Sequence, residues 1–213
     1  MTTDGAGVFT LAEGRCTDMD SHGPRNGHAL IILHEIYGVN EFVLGERRRY
    51  EEAGFDVFCP NLLGRPSFRY EESREAYDNF VAGVGFDVHK RVEDLAAQLG
   101  RCHRKVFVLG FSVGATIAWR CSGSSFCDGV VGCYGSRIRD YVDVAPTCPT
   151  LLLFAQRDSF DVDSLVGRLE GRPRLSVCRF DACHGFMDPF SRGYDALQAR
   201  QAQTAIARFL AAL

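Results

Sequence analysis

Apolar residues along this chain follow two patterns. Short, nearly continuous runs rich in β-branched and aromatic residues occur at Ala29–His34, Asp56–Pro60, Lys105–Leu109, Gly129–Tyr134, Thr150–Ala155 and Leu175–Phe180. Each is bounded by turn residues and predicts a strand. Between them, Glu41–Ala53, Arg74–Leu99, Val113–Cys121, Asp163–Leu169 and Pro189–Ala212 spread their apolar positions among polar ones and predict helices. Asp188-Pro189 supplies a cap and first turn for the last of these. Strands that are apolar on consecutive positions belong to a sheet covered on both faces. Their alternation with helices predicts an open, mostly parallel sheet flanked by helices, an α/β three-layer sandwich. The first 28 residues are expected to add an antiparallel edge. No internal repeat, low-complexity tract or linker interrupts the pattern, so residues 1–213 are expected to form one domain.

Composition narrows the function classes. With 213 residues, 46% apolar and 24% charged, the chain has the material for a packed core, which excludes intrinsic disorder. A net charge of -3 lacks the basic excess of a nucleic-acid binder. No apolar run approaches the roughly 18 residues of a membrane span, and Met1–Gly14 has neither a basic start nor a following apolar stretch. A cytoplasmic protein acting on small molecules, as a monomer or small homo-oligomer, is expected. The nine cysteines are odd in number and irregularly spaced, which reads as reduced thiols. Cys121, Cys127 and Cys133 lie six apart, outside zinc-ligand spacings, and His34-Glu35 lacks a second histidine at position 38; no metal is expected.

In open α/β sheets ligands gather beyond the carboxyl ends of the strands. There, after Lys105–Leu109, stands Gly110-Phe111-Ser112-Val113-Gly114, a G-x-S-x-G sequence between a buried strand and a helix of small residues. A sharp strand-to-helix turn of this kind exposes a nucleophilic hydroxyl at the helix start. A serine hydroxyl needs a base, and His184 follows the Leu175–Phe180 run at the same predicted sheet edge. The imidazole in turn needs a carboxylate. Asp158, just beyond Thr150–Ala155, is the best placed, with Asp161, Asp163 and Asp181 as competitors. The order Ser112, Asp158, His184 is that of the α/β-hydrolases. The first long strand ends in His34-Glu35-Ile36-Tyr37-Gly38-Val39-Asn40. The backbone N–H groups of Ile36 and Val113 are the candidate oxyanion donors. From spacing alone, Glu35 reads equally as an ordinary strand-end carboxylate facing water.

Taken together these residues resemble the dienelactone hydrolase (carboxymethylenebutenolidase) family from about Ala29 to the C-terminus. The resemblance rests on the His34–Asn40 segment, Ala53-Gly54-Phe55, Cys59-Pro60-Asn61-Leu62, the segment Gly110–Gly114, Tyr134-Gly135, Asp158 and Ala182-Cys183-His184-Gly185-Phe186. It implies a catalytic triad of residue 112, His184 and Asp158, with Glu35 beside the nucleophile and Ile36 plus Val113 as the oxyanion hole. Two departures matter. Members that open dienelactones carry cysteine where this chain has Ser112. A hydroxyl is far less acidic than a thiol, so Glu35 cannot generate an alkoxide as its counterpart generates a thiolate. Either His184 activates Ser112 alone, or serine replaces a native cysteine. Those members also bind the substrate carboxylate with two arginines. Arg74-Glu75-Ala76-Tyr77 matches the first site loosely, whereas the second position holds Asp188.

The favoured expectation is a cofactor-free ester or lactone hydrolase working through an acyl-enzyme. Ser112, Asp158, His184 and Glu35 form the catalytic set, and Tyr37, Arg74, Tyr77 and Phe111 are the candidate substrate contacts. The alternatives are a broad carboxylesterase or thioesterase on the same fold, and an impaired or non-catalytic binding homologue.

Overall fold

A computed structural model describes residues 26–213. Six strands form a wholly parallel sheet in the order β2-β1-β3-β4-β5-β6. They are β1 (His28–Leu33), β2 (Asp56–Phe58), β3 (Lys105–Phe111), β4 (Gly129–Cys133), β5 (Thr150–Arg157) and β6 (Leu175–Cys183). The helices are α1 (Glu41–Glu52), α2 (Ser73–Asn79), α3 (His89–Leu99), α4 (Val113–Cys121), α5 (Val162–Leu169) and α6 (Ala196–Ala211). After β1 the chain adds β2 on one side and then crosses to build β3 on the other. The order therefore reverses between β1 and β3, where an α/β sheet opens its ligand crevice.

Successive strand residues face opposite layers, which explains the continuous apolar runs. Leu30, Ile32, Phe107, Leu109 and Val131 pack with α1 and α6 through Phe42, Tyr50, Ala202 and Ile206. Their neighbours Ala29, Ile31, Leu33, Val106 and Val108 pack with α3 and α4 through Val92, Ala96, Ile117 and Ala118. A third cluster seats α5 against β5 and Trp119 of α4. Full burial of one such aliphatic side chain contributes about 1.5–3 kcal/mol, so both faces of β1 and β3 anchor the crevice to a rigid floor. No helix among the described residues is long and apolar enough to cross a membrane.

The structure departs from the sequence pattern in three places. The expected Arg74–Leu99 helix is broken into α2, a π turn at Phe80–Val84, a short 3-10 turn at Phe86–Val88, and α3. Gly85, with φ of 66°, adopts a left-handed conformation that ends the first part. The last helix starts at Ala196, where Asp195 accepts from Leu197 N and Gln198 N at 3.0 Å. Asp188-Pro189 caps nothing there, because Asp188 is buried and bonded elsewhere. Finally, β1 begins at His28, one residue before the expected strand start at Ala29. The expected antiparallel edge lies almost wholly outside the described residues.

Candidate active site

Ser112 sits between the end of β3 and the start of α4 with φ of 53° and ψ of -113°. A non-glycine residue in that region is strained, and the surrounding packing holds it there. Its N–H donates to Cys133 O of β4 at 3.0 Å, while its carbonyl accepts from Ala115 N. The turn works because β1 and α4 touch through their backbones. A Cβ added at Gly114 would stand 2.7 Å from His34 O and closer still to Leu33 O, so any larger residue would push α4 off the strand.

Residues from three strand ends meet at this turn. Ser112 Oγ lies 3.0 Å from His184 Nε2, and His184 Nδ1 lies 2.7 Å from Asp158 Oδ2. Asp158 follows β5 and His184 follows β6, whose ladder continues through His184 N to Arg157 O at 3.2 Å. The Asp158 carboxylate is held from its other side by Ser159 N at 2.6 Å and Ser159 Oγ at 3.1 Å. The competing acids are engaged elsewhere. Asp161 caps α5, Asp163 pairs with Arg179, and Asp181 pairs with Arg157. The His184 side chain is 37% exposed, whereas that of Asp158 is 3% exposed, so the open end of the chain is the imidazole.

The electrostatics follow from this arrangement. Burial alone would raise the Asp158 pKa, but the His184 hydrogen bond and charge and the Ser159 donors outweigh it and hold the carboxyl ionised. Burial would likewise depress His184, yet the Asp158 hydrogen bond and charge, with a contribution from Glu35, lift it above the ordinary histidine value. Glu35 does not face water. It is 5% exposed, and burial pushes its pKa up to about 7; Asp188 pushes in the same direction, while the His184 charge opposes the shift. Glu35 Oε1 and the Tyr134 hydroxyl are both buried without a partner at hydrogen-bonding distance among the described residues.

The predicted oxyanion donors belong to the two segments that meet at this turn. Val113 begins α4 directly after Ser112, and Ile36 lies two residues beyond His34, whose carbonyl approaches Gly114. Among the described residues, neither N–H donates to a protein acceptor.

The predicted substrate contacts divide. Tyr37 is half-buried, its ring centroid 4.5 Å from that of Tyr70. Phe111 is fully buried and packs edge-on against Phe42, 4.8 Å between centroids, so its side chain belongs to the core beneath Ser112 and not to a pocket wall. Arg74 and Tyr77 are exposed on α2. Arg74 lines a shallow surface groove with Glu71, Glu72, Glu75 and Asp78, outside the chain of contacts from Ser112 to Asp158.

A network that sequence reasoning missed borders the site. Tyr70 donates to Asp188 Oδ2 at 2.5 Å and accepts from Asn40 Nδ2 at 2.8 Å. Asp188 Oδ1 accepts from Phe190 N at 2.8 Å, and Asn40 Oδ1 caps α1 through Val43 N at 3.2 Å. Three loops are thereby tied together, one of them the loop carrying His184. Nothing in the sequence pairs positions 70 and 188. The only available signal was an acid at Asp188 where the resemblance leads one to look for arginine.

The model of the dienelactone hydrolase family matches residues 18–213. The chain belongs to the dienelactone hydrolase family. It is 42% identical over 171 residues to the uncharacterized protein YczH of Bacillus subtilis, a match covering 76% of this chain and 82% of that protein. It is 25% identical over 201 residues to a carboxymethylenebutenolidase of Pseudomonas putida, covering 86% and 85% of the two chains. Among solved structures, a candidate dienelactone hydrolase from Klebsiella pneumoniae superposes with a TM-score of 0.74 at 19% identity, covering 91% of this chain and 89% of the other. The dienelactone hydrolase-like promiscuous phosphotriesterase P91 from metagenomic libraries gives 0.71 at 18% identity, over 91% and 88%. These likenesses at low identity establish the shared α/β-hydrolase fold. Membership makes the chain a hydrolase-family protein and leaves its substrate to be argued from the site.

Proposed function

We propose that this dienelactone hydrolase family member is a cofactor-free hydrolase of neutral carboxylic esters or lactones, acting through an acyl-enzyme on Ser112. The observation that carries the reading is the unbroken contact chain from Ser112 Oγ through His184 to Asp158 at 3.0 and 2.7 Å, centred on a strained elbow. Ser112 Oγ attacks the carbonyl carbon as His184 Nε2 takes its proton, and Asp158 stabilises the imidazolium. The tetrahedral oxyanion accepts from Ile36 N–H and Val113 N–H. His184 then returns the proton to the departing alkoxide oxygen, leaving the acyl group esterified to Ser112. Water, deprotonated by His184, attacks that ester, releases the carboxylic acid and restores Ser112.

Glu35 and Asp188 support the choice of a neutral substrate. Two buried carboxyl groups that influence each other stand on the His184 side of the site, and among the described residues no buried arginine or lysine stands there to receive a substrate carboxylate. The adjoining rings of Tyr37, Tyr70 and Phe190, tied to Asp188 through the Tyr70 hydroxyl, would suit an uncharged acyl or alcohol group. Arg74 and Tyr77 on α2 would then act at most at the rim. Steady-state hydrolysis of a panel of aryl esters, lactones and thioesters by the wild-type chain, Ser112→Ala and His184→Ala tests the reading. Turnover by the wild type with a loss of about 10⁴-fold or more in both variants is expected. Equal rates in all three proteins would refute it.

A further inference from the structure

Besides His184 there is a second histidine, fully buried, that the acyl-transfer scheme leaves unused. His34 directly follows β1 and is fully buried. Its Nδ1 lies 2.6 Å from Glu35 O, and its Nε2 lies 2.9 Å from Leu62 N. A backbone N–H only donates, so Leu62 makes Nε2 the acceptor and leaves the ring proton on Nδ1, where it donates to the Glu35 carbonyl. Burial pushes the ring's pKa down to about 4, in keeping with a neutral imidazole of fixed tautomer.

The carbonyl that His34 holds matters because of the peptide it belongs to. Glu35 C=O and Ile36 N–H are the two ends of one peptide unit. Among the described residues no peptide bond is cis, so these two groups point in opposite directions across a planar trans amide. Donors that pin the carbonyl therefore aim the N–H. Glu35 O receives two of them, His34 Nδ1–H at 2.6 Å and Gly38 N–H at 3.3 Å. A carbonyl so engaged also polarises its own amide and strengthens it as a donor. On the other side of the histidine, His34 O abuts Gly114, which fixes the distance between this segment and the start of α4, where the second candidate donor Val113 stands.

Resting on the hydrolase reading, we propose that His34 is a positioning residue for the oxyanion hole. Through the Glu35–Ile36 peptide it aims the Ile36 N–H at the developing oxyanion, and through Leu62 it braces that peptide against the segment following β2. The role is transition-state specific, because the Ile36 N–H meets its full charge only when the carbonyl becomes tetrahedral.

The test compares wild type, His34→Gln and His34→Leu on a neutral aryl ester, together with inhibition by a trifluoromethyl ketone whose hemiketal adduct reproduces the oxyanion. In His34→Leu, kcat should fall about 10- to 100-fold with KM within about twofold, and the inhibitor should weaken by the same factor. Glutamine retains a donor and an acceptor and should recover at least about a tenth of wild-type kcat. An unreduced kcat in His34→Leu, an equal loss in Gln and Leu, or unchanged inhibitor affinity beside a reduced kcat would each overturn the proposal. Should the variants fail to fold, ¹⁵N NMR of the wild-type ring decides. Protonation at Nδ1 with a bare Nε2, and an Ile36 amide proton moving downfield on hemiketal formation, is expected. The opposite tautomer or an unmoved amide overturns the proposal. A wild type without Ser112-dependent turnover defeats the hydrolase reading itself; an active wild type with a fully active His34→Leu defeats only the role of His34.

Discussion

Glu35 offers a test of the site's electrostatics that does not depend on knowing the substrate. Its carboxyl is 5% exposed, one oxygen lacks any hydrogen-bond partner among the described residues, and burial with the nearby Asp188 pushes its pKa from 4.5 up to about 7. The folded state thus keeps a proton that the unfolded chain releases. For an acid shifted upward, the associated stability is complete below pH 4.5 and is lost as pH rises through 7. The shift corresponds to about 3 kcal/mol, most of it falling between pH 5 and 8. Glu35→Gln places a neutral isostere in the same space and removes the titration. Urea denaturation of both proteins at pH 5, 6, 7 and 8, at constant ionic strength, cancels the titrations they share. The variant should gain on wild type by about 2–3 kcal/mol from pH 5 to pH 8. A difference between the two proteins that stays flat, within about 0.5 kcal/mol, would mean that Glu35 is not held neutral by its surroundings and would refute the reasoning.

Three further outcomes follow from the same geometry. Asp158→Asn should lower kcat about 10³- to 10⁴-fold, since an amide N–H facing Nδ1 forces the wrong imidazole tautomer; a loss under tenfold in pre-steady-state acylation would contradict the contact to His184 Nδ1 at 2.7 Å. Gly114→Ala drives a methyl into the carbonyls of Leu33 and His34, and thermal unfolding should show a destabilisation of about 1–3 kcal/mol together with impaired turnover. Wild type should hydrolyse a neutral methyl ester about tenfold or more better in kcat/KM than the matching ester bearing a free carboxylate, and Asp188→Asn should narrow that ratio; an unchanged ratio would remove Asp188 from substrate selection.

The strands were legible because each carries its own evidence. β1 and β3 are apolar on both faces, and only a sheet covered by two layers needs that. The elbow at Ser112 was legible because a tight turn writes its requirement locally, in Gly114 packed against the backbone of β1. Once strand ends were located, His184 and Asp158 followed from their positions beyond β6 and β5. The choice among the neighbouring acids depended on pairings made by the fold, such as Asp181 with Arg157. Helix boundaries near the site were harder to read. The Asp188-Pro189 start of the last helix was misleading because Asp188 is satisfied by Tyr70, 118 residues away, and that bond has no local trace. Phe111 illustrates the same limit, since adjacency to Ser112 in sequence says nothing of which face of the strand its ring enters. The raised pKa of Glu35 also depends on a distant group, Asp188.

The proposed acyl transfer passes through Ser112. Rapid quenching of the wild-type chain with a neutral aryl ester, followed by mass spectrometry of its peptides, tests that most directly. An acyl adduct on Ser112 is expected that forms with the burst of released alcohol, decays at the turnover rate and accumulates when deacylation is slowed. An adduct on another residue such as Cys183, or turnover that persists in Ser112→Ala without any adduct at position 112, would contradict it.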